Sequence, residues 1–132
     1  MTPSTKTVNI ATKTMKFGRL APTLAVTDMQ TARAFYVDAL GFKVRFENGD
    51  PVGFMILKHD DAELHLTLQA EFKPAKFNVA HLLVEGVDAL HAIVQAQGCR
   101  IVKGMRDKDF GLRAFVFEDP FGNRIDVGEP IS

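Results

Sequence analysis

The stretch Gly111-Leu112-Arg113-Ala114-Phe115-Val116-Phe117-Glu118-Asp119-Pro120-Phe121-Gly122-Asn123-Arg124-Ile125-Asp126-Val127 decides how this chain reads. Two alternating runs flank a four-residue turn, the pattern of a β-hairpin. Asp119 can accept bonds from nearby backbone amides, Pro120 presets its own φ, and Gly122 accepts a positive φ. Alternation puts Arg113, Phe115 and Phe117 on one face of the first strand. In the returning strand it sets Ile125 and Val127 against Arg124, Asp126 and Gly128, so an acidic group projects from the sheet.

Working backwards, the same half predicts a strand over residues 78–84, a helix over 87–97 closed by Gly98, and a strand over 99–104. Leu90, Ile93 and Val94 form the inward stripe of that helix. The other half predicts a strand over 20–27 and a helix over 28–40, which Thr27 or Asp28 caps and Gly41 ends. Met29, Ala32, Tyr36 and Ala39 or Leu40 make its apolar stripe. Three strands follow, over 42–47, 52–58 and 62–69, joined across Asn48-Gly49-Asp50-Pro51 and His59-Asp60-Asp61. Both halves run strand, helix, three strands, and their helix-ending glycines lie 98 − 41 = 57 positions apart. This is an architectural repeat with little residue identity. One such unit leaves a sheet face and edges bare, so two units are expected to pair.

The chain has 132 residues, enough for one domain with its own core. Sixteen basic and sixteen acidic side chains cancel, which gives a nucleic-acid or anionic-membrane surface no support. No apolar run approaches a membrane span. The one cysteine, Cys99, cannot make an internal disulfide and reads as an inert, packed thiol of a cytoplasmic protein. Residues 1–19 are expected to form a loose arm or extra strand ahead of a single domain over 20–132. The arm lacks the apolar core of a secretory signal.

Within residues 62–69, Leu64, Leu66 and Leu68 share one face and Glu63, His65, Thr67 and Gln69 the other. The leucine face should meet the helix, and the polar face should line a groove. Leu24 and Val26 likewise face their helix, leaving Ala21, Thr23 and Ala25 opposite; Val79, His81 and Leu83 fall on one face of residues 78–84. The groove would then carry His65 and Asp126 at comparable places in the two halves. A histidine near a carboxylate can bind a metal, exchange protons or hold a polar ligand, or it can be a structural ion pair. Phe54, Phe110 and Phe115 could stack on a ligand, although Phe54 and Phe115 also suit a core. Arg113 could meet a ligand carboxylate or an interface acid.

On Leu24-Ala25-Val26-Thr27-Asp28, Ala34-Phe35-Tyr36 with Leu40-Gly41-Phe42, Glu63-Leu64-His65-Leu66 and Asp119-Pro120-Phe121-Gly122-Asn123, the chain resembles the vicinal oxygen chelate superfamily. That superfamily includes glyoxalase I, extradiol dioxygenases, fosfomycin resistance enzymes and bleomycin resistance proteins. The order and spacing of these segments carry the resemblance across residues 20–130. It implies an α+β fold of two βαβββ modules, about 20–70 and 78–130, curling into a half-open eight-stranded barrel-like groove, with a homodimer completing it. The family's metal positions fall on Ala21, His65, Val79 and Asp126, two of which cannot coordinate. The nearest likeness is to the bleomycin resistance proteins, which bind a drug without turnover.

The resemblance therefore implies a small-molecule-sequestering homodimer that needs no metal and has no catalytic residue. Its expected ligand-binding residues are Glu63, His65, Asp126, Arg113, Phe115, Phe54, Phe110 and His81. The zero net charge suits a planar or amphipathic ligand better than cationic bleomycin. The alternative is a metal-dependent glyoxalase- or dioxygenase-type enzyme. In it, a two-residue register adjustment brings in His81, and His65, His81 and Asp126 hold a divalent metal ion. A degenerate module serving a partner or regulatory role is the third possibility.

Overall fold

A computed structural model describes residues 14–131. Residues 1–13, most of the expected arm, and Ser132 lie outside the described residues. The elements are β1 (Thr23–Val26), α1 (Met29–Ala32) continuing into a π-helical run (Arg33–Ala39), β2 (Lys43–Asn48), β3 (Phe54–His59) and β4 (Ala62–Leu68). The second half repeats the order with β5 (Asn78–Leu83), α2 (Val87–Ala96), β6 (Ile101–Asp107), β7 (Leu112–Glu118) and β8 (Arg124–Pro130). The hydrogen bonds form two separate four-stranded sheets, β1-β4-β3-β2 and β5-β8-β7-β6. In each, the first strand runs parallel to the last and the other neighbours are antiparallel. The α+β class and the two βαβββ modules stand; no closed barrel forms among the described residues.

Local chemistry accounts for the ends of the first helix. Asp28 caps it by accepting from the Gln30 amide and the Thr31 hydroxyl. These bonds favour its ionised form and hold the carboxyl below its usual range. At the other end, Gly41 takes a φ of 81°, which L side chains rarely adopt. The π-helical run was not predicted; its bonds skip one residue further, as in Leu40 N–H to Phe35 O at 3.0 Å.

The core lies between the sheets, and each helix turns one side into it. Leu24, Val26, Met55, Leu57, Leu64 and Leu66 of the first sheet are buried there, as are Phe115, Phe117, Ile125 and Val127 of the second. Phe35 of the π-helical run packs 6.3 Å from Phe117, ring to ring, so the modules share one interior. In α2, Val87 and Val94 are buried, whereas Ile93, expected inward, is exposed. The helix meets its sheet along a narrower stripe than periodicity suggested.

The Asp-Pro-Phe-Gly turn binds the modules together. Asp119 Oδ1 accepts from the amides of Phe121 (2.9 Å) and Asn123 (2.8 Å), and Oδ2 accepts from Tyr36 Oη (2.6 Å) and Asn123 Nδ2 (2.9 Å). Asn123 Nδ2 also reaches the Ala25 carbonyl of β1 at 2.9 Å. The segment that announced a hairpin is thus also the clasp between the halves.

Candidate functional site

Each sheet has one face on the core and one turned away from it. On the outer face of the first sheet, β4 contributes Glu63, His65 and Thr67. Register sets Thr23 beside His65, and on the other side Ile56 beside His65 and Phe54 beside Thr67. Phe46 faces Ile56 from β2, after a β-bulge, and is 50% exposed. Phe46 meets Phe54 edge-on at 6.4 Å between centroids, and Phe54 meets the His65 ring edge-on at 5.6 Å. The three rings form a ladder across the sheet, an apolar surface with one titratable end. Phe54 therefore lies with the site and not in the core. Phe46 went unnoticed because the bulge breaks the alternation that would have marked its face.

At the polar end, His65 Nε2 lies 2.8 Å from Glu63 Oε2, while Arg19 Nε donates to Glu63 Oε1. These two partners, His65 first, hold the Glu63 carboxyl below its usual range. One carboxylate thus orients the histidine on one side and anchors the chain ahead of β1 on the other.

The outer face of the second sheet carries the other pair. An irregularity between Asn78 and Ala80 shifts the β5–β8 register, so that His81 stands opposite Asp126. His81 Nδ1 is 2.9 Å from Asp126 Oδ2. Val79 packs against the core, so it leaves the His81 face on which strict alternation had put it. His81, rather than Val79, is the β5 residue that shares a face with Asp126. Gly128 lies on this face; a side chain there would meet Leu112 Cδ1 at 3.1 Å and His81 Cε1 at 3.7 Å.

His65 and Asp126 are not paired with each other; each is engaged by a neighbour on its own sheet. Among the described residues, no three His, Cys, Asp or Glu side chains gather into a metal-binding group. A single chain therefore does not assemble His65, His81 and Asp126 into a metal centre.

The remaining candidates separate cleanly. Phe115 is 1% exposed and stacked on Phe117 in the core. Arg113 is held by Asp88 of α2 (3.0 Å) and Asp107 of β6 (3.2 Å). Phe110 stands exposed in the loop between β6 and β7. On the core side, two clefts of about 870 Å³ and 310 Å³ open between the modules and share lining residues such as Phe42, Leu82 and Leu90. Glu63 and His81 reach the smaller one; His65, Phe54 and Asp126 reach neither.

These features match a known family. The sequence fits the model of the Glyoxalase/Bleomycin resistance protein/Dioxygenase superfamily over residues 16–127, and the chain belongs to that superfamily. Among solved structures it is similar to TnmS3, an antibiotic binding protein from Streptomyces sp. CB03234, at 26% identity and a TM-score of 0.69, over 88% of this chain and 98% of that one. It is similar to a glyoxalase family protein from Enterococcus faecalis at 25% identity and a TM-score of 0.66, over 86% and 97%. A bleomycin-binding protein complexed with bleomycin has a TM-score of 0.69 at 21% identity, over 86% and 98%, and speaks for the fold alone. No curated protein matches the sequence. No described helix is long and apolar enough to cross a membrane.

Proposed function

We propose that this protein binds and sequesters a flat, partly apolar small molecule without turning it over. The ligand would lie on the outer face of the first sheet, in a groove completed by a second copy of the chain. The observation that carries this reading is the Phe46–Phe54–His65 ladder beside the Glu63–His65 pair. It offers π-faces for a ring system and one polar handle to orient it. The similarity to an antibiotic binding protein supports the same class of ligand. A screen of planar amphipathic compounds on chelator-treated protein should raise the melting temperature for some, since a ligand selective for the native state stabilises it by mass action. Phe54→Ala should abolish those shifts, and protein as purified should hold less than about one-tenth equivalent of divalent metal. Stoichiometric metal, or shifts indifferent to Phe54→Ala, would defeat the reading.

One observation favours a second reading, a metal-dependent enzyme of the glyoxalase or dioxygenase type. The β5–β8 register puts His81 beside Asp126, where both could serve one ion, with His65 of a second copy as third ligand. Asp126→Ala would then remove metal and activity together; unchanged metal content in that variant rejects it.

A further inference from the structure

The outer face of the first sheet carries charge that its aromatic ladder does not use. Lys43 of β2 stands opposite Lys58 of β3, and Lys58 stands opposite Glu63 of β4. Residues paired across strands share a face, so the three make a row on the outer side. The next row holds Phe46, Ile56 and His65, also paired in register. Two residues of β3 separate Lys58 from Ile56, about 7 Å along the strand.

Glu63 does not neutralise the lysines. One of its oxygens accepts from Arg19 and the other meets His65. Among the described residues neither lysine ammonium has a hydrogen-bond or ion-pair partner. Like charges directly opposite one another destabilise a sheet. A lysine on an edge strand guards against pairing with another chain, which accounts for Lys43 on β2. Lys58 lies on β3, between β2 and β4, where no free edge needs guarding. The pair is thus unmatched positive charge, one row away from an apolar aromatic surface.

We infer that the ligand of this face is an aromatic acid. Its ring system lies on Phe46, Phe54 and Ile56, and an anionic group at its edge bridges Lys43 and Lys58. An anion held there also relieves the repulsion between the two ammonium groups. This rests on the proposed binding face; the sign of the ligand's charge is what it adds.

Naphthalene-2-sulfonate and naphthalene-2-sulfonamide share a ring system and differ in charge at neutral pH. The chain has no tryptophan, so the fluorescence anisotropy of the naphthalene reports binding directly. At low salt the sulfonate should bind about tenfold more tightly than the sulfonamide, and the preference should shrink as salt is added. Lys43→Gln and Lys58→Gln should each weaken the sulfonate about fourfold and leave the sulfonamide within about twofold of wild type. The double variant should lose the preference. Phe54→Ala should weaken both compounds about tenfold. A wild-type preference below about twofold overturns the lysine assignment, as does one that survives in the double variant. Lysine variants that weaken both compounds alike overturn it too. In each of these cases the face stands if Phe54→Ala still weakens both. If neither compound binds the wild type, or Phe54→Ala leaves both unchanged, the face fails and the assignment with it.

Discussion

Tyr36 Oη donates to Asp119 Oδ2 across 2.6 Å, joining the helix of the first module to the hairpin turn of the second across 83 positions of sequence. Both groups are buried, Asp119 at 4% exposure. Burial pushes the Tyr36 phenol well above its usual range, followed by the Asp119 charge. For Asp119, burial pushes the carboxyl up and the four donors around it pull part of the way back. Tyr36→Phe removes one donor from a buried carboxylate that keeps the other three. It should cost about 1–3 kcal/mol in urea unfolding. Asn123→Ala, at the same carboxylate, should couple with it in a double-mutant cycle. Additive effects below about 0.5 kcal/mol would show that the clasp does not hold the modules together.

Gly122 tests the same turn from the backbone side. Its φ is 89°, and a Cβ there would stand 2.8 Å from Pro74 Cγ. Gly122→Ala should destabilise by about 2 kcal/mol through strain and contact together. Gly104→Ala is the control, since nothing lies within 4 Å of a Cβ at Gly104. Equal melting temperatures for the two variants would contradict this account of the turn.

The acid limb of the stability profile should depend on Glu63. Its folded pKa is held below the ordinary carboxylate value, so the ionised form is the one folding favours. The stability this contributes is present above the unfolded value and is lost as pH falls through the folded one. Wild type should therefore be more stable than Glu63→Gln near neutrality, with the difference shrinking as acid is added. A difference that grows in acid has the wrong sign.

Cys99 is half-buried beneath the Asp119 turn, and burial first, then the Asp119 charge, pushes its thiol up to about 11. Iodoacetamide at pH 8 should modify it at least about tenfold more slowly than free cysteine, because the thiolate is the nucleophile. Rapid labelling of the native protein would place that thiol in a more open site.

Much of the fold was legible because alternation and punctuation are local. The leucines of β4, the Asp-Pro-Phe-Gly turn and the two helix-ending glycines each have reasons within a few residues. What escaped notice depends on long-range partners or on interruptions of period. Nothing near Tyr36 announces Asp119, and nothing near Arg113 announces Asp88. The irregularities before Ala80 and Phe46 change which side chains share a face, so Val79 was placed wrongly and Phe46 was overlooked. His65 and Asp126 were read as neighbours from their equivalent places in the repeat. Equivalent positions in two modules need not meet within one chain, and here each faces away from the shared core.

The central claim, that the outer face of the first sheet binds a flat ligand without metal, is tested most directly by an amide NMR titration of chelator-treated protein with 8-anilinonaphthalene-1-sulfonate. Saturating shifts are predicted at Phe46, Phe54, Glu63, His65 and Thr67. Shifts confined to Leu82, Leu90 and Ile93 in the cleft between the modules, or appearing only after a divalent metal is added, would contradict it.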